Sequence, residues 1–176
     1  MGGMTRLQNS TKIEIDKWDL IIAHPPCTYL TNAATRSHSL KMTPINKING
    51  RTLSRIESMR FFMDIINANC EKIVVENPVG IMNTAYRKPD QIIEPYYFAE
   101  SIRDENYTKK RTCLWLKGVP LLQRTNTLPE PNLKELYGLY KNGKAKTWEE
   151  TRIGNRACER SKTFPGIAKA MAEQWG

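Results

Sequence analysis

The sequence predicts an α/β domain: a partial doubly wound sheet, mainly parallel, with an antiparallel edge hairpin and a C-terminal helix. Three observations carry this. The apolar runs in Asp19-Leu-Ile-Ile-Ala23 and Ile73-Val-Val75 are each long enough for one buried strand. Between them, residues 52–69 repeat apolar side chains at helical spacing, and Ile167, Met171 and Trp175 do the same at the end of the chain. A strand, a helix and a strand in that order imply a parallel pair with a right-handed crossover. In open α/β sheets, ligands collect at the C-terminal ends of the strands.

In chain order, residues 1–16 are polar and read as a disordered or irregular segment, and residues 17–176 as the single domain. Residues 17–23 form the first strand, which His24-Pro-Pro26 stops because consecutive prolines cannot donate to a ladder. Residues 28–49 lack a sustained period and carry Arg36, Lys41 and Lys47 without an acid, a long basic loop. Leu53, Ile56, Met59, Phe62, Met63 and Ile66 then outline the buried stripe of a helix. After the second strand, Glu94-Pro-Tyr-Tyr-Phe98 and Arg111-Thr-Cys-Leu-Trp-Leu116 read as strands that pair as the edge hairpin. Residues 120–159 are polar and Pro/Gly-punctuated, with no assignable element. Phe164-Pro-Gly166 opens the C-terminal helix.

Composition narrows the function classes. The 176 residues suit one domain with a real core, and the formal charge of +9 favours an acidic partner, nucleic acid first. No run of about 18 apolar residues exists and no secretory leader opens the chain, so a cytoplasmic protein with no membrane partner is expected. Cys27, Cys70, Cys113 and Cys158 never approach a Cys-x-x-Cys spacing, which excludes a zinc ribbon or a redox motif. A zinc nucleobase deaminase fails as well, because Leu30 stands where its second cysteine belongs and no His-x-Glu exists.

Two residues stand where chemistry collects. Cys27 follows Pro25-Pro26 at the end of the first strand, before the basic loop, where nearby cations would lower a thiol pKa and make it a nucleophile. Glu76 ends the second strand, where a carboxylate needs a partner. His24 reads as a histidine bonded to a loop carbonyl, and Tyr96, Tyr97, Phe98 and Trp115 as core. The basic residues of 141–162 are interleaved with Glu149, Glu150 and Glu159, and suit a nucleic-acid track and a solvated surface about equally.

Pro25-Pro26-Cys27 after one strand, Glu76-Asn77 after the next, and Lys109-Lys-Arg111 leading into a third resemble three motifs of the C5-cytosine DNA methyltransferases, in their order. Ser161-Lys-Thr-Phe-Pro-Gly-Ile-Ala-Lys-Ala-Met-Ala172 is similar to the family's C-terminal helix on the cofactor side. The wording resembles the compact bacteriophage and prophage branch, over residues 17–118 and 161–175.

The resemblance implies a Rossmann-like methyltransferase sheet and a DNA cytosine turned out of the stack. Cys27 would attack its C6, Glu76 would hold or protonate N3, and Arg111 with Lys109 would bind the flipped nucleotide. Pro26 would lie on the substrate side and Asn77 would orient the loop. Pro25 and Thr163 would face S-adenosylmethionine. The family's opening strand and Gly-rich cofactor turn have no counterpart before Asp19, so the cofactor-binding half is expected to be missing. A homodimer or a complementing chain would then cover the incomplete sheet. The alternative is a non-catalytic phage binding module for nucleic acid or a host-defence protein.

Overall fold

A computed structural model of the protein describes residues 3–6, 12–15, 17–32, 44–151 and 162–176. Its centre is a four-stranded sheet built from β3 (Ile21–Ala23), β4 (Ile73–Pro78), β5 (Gln91–Ile93) and β6 (Thr112–Lys117), in the order β3-β4-β6-β5. β3 and β4 are parallel, with Ile21 opposite Ile73 and Ala23 opposite Val75, and α1 (Ile45–Ile66) lies between them in the chain. β6 runs antiparallel to both β4 and β5.

The sheet is therefore mixed, not mainly parallel as the sequence suggested. The reason lies in β6. Thr112, Cys113, Leu114 and Trp115 are all buried, and the strand's six residues match the six of β4 along their whole length. A strand apolar on both faces belongs in a sheet interior, and the three-residue β5 is left as a short edge. The antiparallel edge hairpin is present, but its first strand is Gln91–Ile93. Glu94-Pro-Tyr-Tyr-Phe98 instead forms a 3₁₀ turn (Pro95–Phe98), because Pro95 has no N–H for a ladder and Tyr97 N donates back to the Glu94 carbonyl.

Alternation along β4 sorts its side chains onto two cores. Ile73 and Val75 join Cys113, Trp115, Leu30, Phe62, Ile66 and Met82 on the face covered by α1 and α2 (Met82–Ala85). Val74 joins Leu114, Ile93 and Leu122 on the other face, beneath α5 (Pro165–Trp175). There Ile167, Met171 and Trp175 are buried, as their spacing indicated. Two shorter helices, α3 (Leu133–Tyr137) and α4 (Trp148–Thr151), lie in the region without a periodic signal.

Only the C-terminal half of α1 packs as its stripe suggested. Phe62 and Ile66 are buried, while Leu53 and Ile56 are 63% and 57% exposed. A helix of 22 residues is about 33 Å long, more than a four-strand sheet covers, so its first turns overhang. Near the N-terminus, β1 (Gly3–Arg6) and β2 (Lys12–Ile15) pair as an antiparallel hairpin where an irregular segment was expected. Regular alternation in Lys12-Ile-Glu-Ile15 accounts for a strand. No helix among the described residues is long and apolar enough to cross a membrane.

Candidate functional site

Register brings the candidate residues together. Ala23 faces Val75 across the parallel pair, so the chain leaves β3 at His24 beside Glu76. His24 Nδ1 and Glu76 Oε2 lie 2.6 Å apart, and the Glu76 side chain is only 14% exposed. Two bare lone pairs cannot approach that closely, so one proton sits between them. The loop-carbonyl role expected of His24 is thus replaced by an acid partner.

Asn77, the next residue, points to the opposite face. It is buried, and its Nδ2 donates to the Pro25 carbonyl at 2.9 Å. One strand end therefore supplies the carboxyl on one side and pins the Pro-Pro-Cys turn from the other, which is the orienting role expected of Asn77. Beyond the prolines the Leu30 and Thr31 amides both donate to the Cys27 carbonyl, at 3.0 and 3.1 Å, and close a tight turn. Gly80 lets this turn seat: a Cβ there would stand 1.9 Å from the Leu30 carbonyl oxygen.

Cys27 is half-buried on the wall of a groove of ≈ 1090 Å³. Pro26, His24, Lys110 and Arg111 share that wall, and Thr147, Glu149 and Glu150 line it as well. The thiol pKa is raised, first by burial and then by the Glu76 carboxylate; a backbone hydrogen bond and Lys110 oppose this without overcoming it. The expectation of a lowered thiol pKa is overturned because burial disfavours the thiolate and the Glu76 charge adds to it, against the weaker pull of Lys110; residues 36 and 41 of the basic loop lie outside the described residues. Glu76 itself lines a small crevice with Lys110 and not the groove that holds Cys27.

The basic pair divides differently from the motif reading. Lys109 is bonded to Glu130 and does not line the groove. Lys110 does, and it also borders Glu76 in a small crevice with Thr163 and Phe164. In the antiparallel register Glu76 faces Leu114, and alternate residues Thr112 and Lys110 continue on that side. That alternation is the signal that would have picked Lys110 over Lys109. Its ammonium lies 5.3 Å from the centre of the Trp148 ring and 5.5 Å from that of Phe164. Arg111 is 74% exposed, with its Nε 3.9 Å from Glu94. Glu94 is itself buried with one carboxylate oxygen unpartnered, and desolvation raises its pKa.

The residues expected at S-adenosylmethionine are close to this site without forming a cofactor cradle. Thr163 Oγ1 lies 3.3 Å from His24 Nδ1, and Pro25 is buried with its carbonyl taken by Asn77. Among the described residues the sheet ends at β3, no Gly-rich turn follows a strand there, and the space over Gly80 is filled by protein backbone. The described residues do not fit S-adenosylmethionine. Nor do they contain a group of three His, Cys, Asp or Glu side chains placed to hold a metal. Arg152, Arg156 and Arg160 of the basic stretch, Cys158, and residues 33–43 of the basic loop lie outside the described residues, while residues 45–49 of that loop belong to α1. Comparison with protein-family models, with curated proteins and with solved structures finds no match to this chain.

Proposed function

We propose that the protein binds DNA and receives an unstacked cytosine in the Cys27 groove, as the likeness to C5-cytosine DNA methyltransferases implies. The observation that carries this is the Pro-Pro-Cys turn, held by Asn77, which puts the thiol on the groove wall with His24, the hydrogen-bond partner of Glu76. Lys110 and Arg111 line the groove and can each meet a phosphate, although Glu149 and Glu150 line it too and offset their charge.

The chemistry such a site supports is reversible addition. The thiol loses its proton to solvent, the sulfur bonds to C6, the C5–C6 π pair moves to C4–C5 and the C4–N3 π pair to N3, and N3 takes a proton relayed from solvent through the Glu76 carboxyl. Reversal expels the thiolate and restores cytosine, so no net reaction or co-reactant is required. Transfer of a methyl group from S-adenosylmethionine would need a cofactor half supplied from elsewhere, by a second copy or a complementing chain.

The test is intact-mass analysis after incubation with a duplex in which 5-azacytosine, more electrophilic at C6, replaces the cytosine. A protein–DNA adduct is expected, lost in Cys27→Ala and reduced in Glu76→Gln. DNA binding that leaves no adduct, and is indifferent to Cys27→Ala, supports the second reading, a non-catalytic binding module. The raised thiol pKa favours that second reading. Binding of a host protein with no affinity for DNA would remove both nucleic-acid readings.

A further inference from the structure

Two arginines of α1 hold the turn that carries Cys27, and among the described residues neither has an acid partner. α1 places Arg51 and Arg55 one helical turn apart, both half-buried. Arg55 Nε donates to the Tyr29 carbonyl at 2.9 Å, and the Arg51 guanidinium carbon lies 5.3 Å from the centre of the Tyr29 ring. Tyr29 stands two residues past Cys27, inside the turn that the Leu30 and Thr31 amides close. Arg51 Nε is buried without a hydrogen-bond partner. Among the described residues no carboxylate pairs with either arginine. Burial, and then the charge of Arg51, lower the Arg55 pKa from its ordinary value.

Like charges one turn apart destabilise a helix, and a buried N–H without an acceptor costs more. Bracing the turn explains one bond from Arg55. It does not explain a second cation beside it with a nitrogen left over. An anion explains both, because guanidinium groups match the paired oxygens of a phosphate.

We propose that Arg51 and Arg55 form a clamp for a phosphodiester of the DNA strand whose base enters the Cys27 groove. This rests on the reading of the groove as a nucleic-acid site and adds where the backbone is held. Tyr29 couples the two: one residue supports the clamp and belongs to the turn that presents the thiol.

The experiment measures the affinity of labelled 20-base-pair duplexes between about 50 and 200 mM salt, where each neutralised phosphate contributes a slope of about 0.9 in log–log form. One duplex contains only A·T pairs and the other a single G·C pair. In Arg51→Gln/Arg55→Gln the slope is expected to fall by about 0.9, the share of the one phosphate the pair neutralises, and affinity near 0.1 M salt to drop between about ten- and a hundredfold on both duplexes. Arg51→Lys/Arg55→Lys keeps the charge and should restore the slope, with affinity still below that of the wild type because an ammonium cannot pair both oxygens. The control Lys141→Gln/Lys144→Gln removes the same charge from an exposed turn and should lose less.

A slope equal to that of the wild type, a loss no larger than the control's, or a loss confined to the G·C duplex overturns the clamp, since a phosphodiester contact is blind to the base. So does an altered rate of Cys27 alkylation with an unchanged slope, the signature of a brace alone. If the slope falls while the wild type shows no preference for cytosine, the cytosine reading fails and the clamp stands.

Discussion

Glu76 and Asn77 are neighbours on one strand, yet they belong to two different molecules in effect. On the Asn77 side of the sheet the described residues of β4 pack into an apolar core: Trp115 is wholly buried, donates from Nε1 to the Arg87 carbonyl at 2.9 Å, and meets the edge of Phe62 with ring centres 5.1 Å apart. On the Glu76 side the end of the strand is crowded with groups that carry or accept protons: His24, Lys110 and Thr163. One face holds the geometry and the other presents the chemistry. The comparison teaches that a two-residue motif can do both tasks, because the pleat sends successive side chains to opposite faces.

The division is broken most forcefully from the scaffold side. Trp115→Ala removes a large buried ring and leaves the Arg87 carbonyl without its donor, a loss of about 3–5 kcal/mol. For a chain of this length that is a fall in melting temperature of about 6–20 °C. Well below the new midpoint, adduct formation at Cys27 should persist. Loss of the adduct in a folded Trp115→Ala protein, shown by an intact far-ultraviolet dichroism spectrum, would mean the scaffold face is not separable from the site.

Asn77→Ala should cost less and do more. Leaving the Pro25 carbonyl unpaired in a buried position is worth about 1–3 kcal/mol, visible as a smaller thermal shift. Because that carbonyl anchors the turn before Cys27, the adduct rate should fall by more than in Trp115→Ala at matched fractions of folded protein. Equal adduct rates in the two variants would remove Asn77 from its positioning role.

The two faces also differ in how far the sequence reveals them. Strand run 73–75, the Pro-Pro-Cys stop and the Ile167/Met171/Trp175 stripe are local patterns, and each stands where its pattern indicated, whereas the first strand, read over residues 17–23, forms only over Ile21–Ala23. The site's two unassigned members, His24 and Lys110, depend on pairing between distant segments. His24 meets Glu76 because Ala23 is in register with Val75, and Lys110 reaches Glu76 because Glu76 is in register with Leu114. A one-residue slip in β6 would have put Lys109 there instead. Residues 120–151 were illegible for another reason. They are held by side-chain to main-chain bonds, such as Asn126 Nδ2 to the Tyr96 and Ala99 carbonyls, which leave no hydrophobic period to read.

The smallest effect gives the finest test of the chemical face. Alkylation of Cys27 by iodoacetamide, followed at its own peptide by mass spectrometry, reports the thiolate fraction as a function of pH. Since burial and Glu76 raise the thiol pKa, the rate should still be climbing above the pH at which an ordinary thiol levels off. Glu76→Gln removes a negative neighbour and must move the midpoint down; Lys110→Gln removes a positive one and must move it up. The shifts are opposite in sign, so a general loosening of the loop cannot imitate them. Two shifts in the same direction would show that the thiol responds to solvent access alone, and that Glu76 and Lys110 do not act on it through charge.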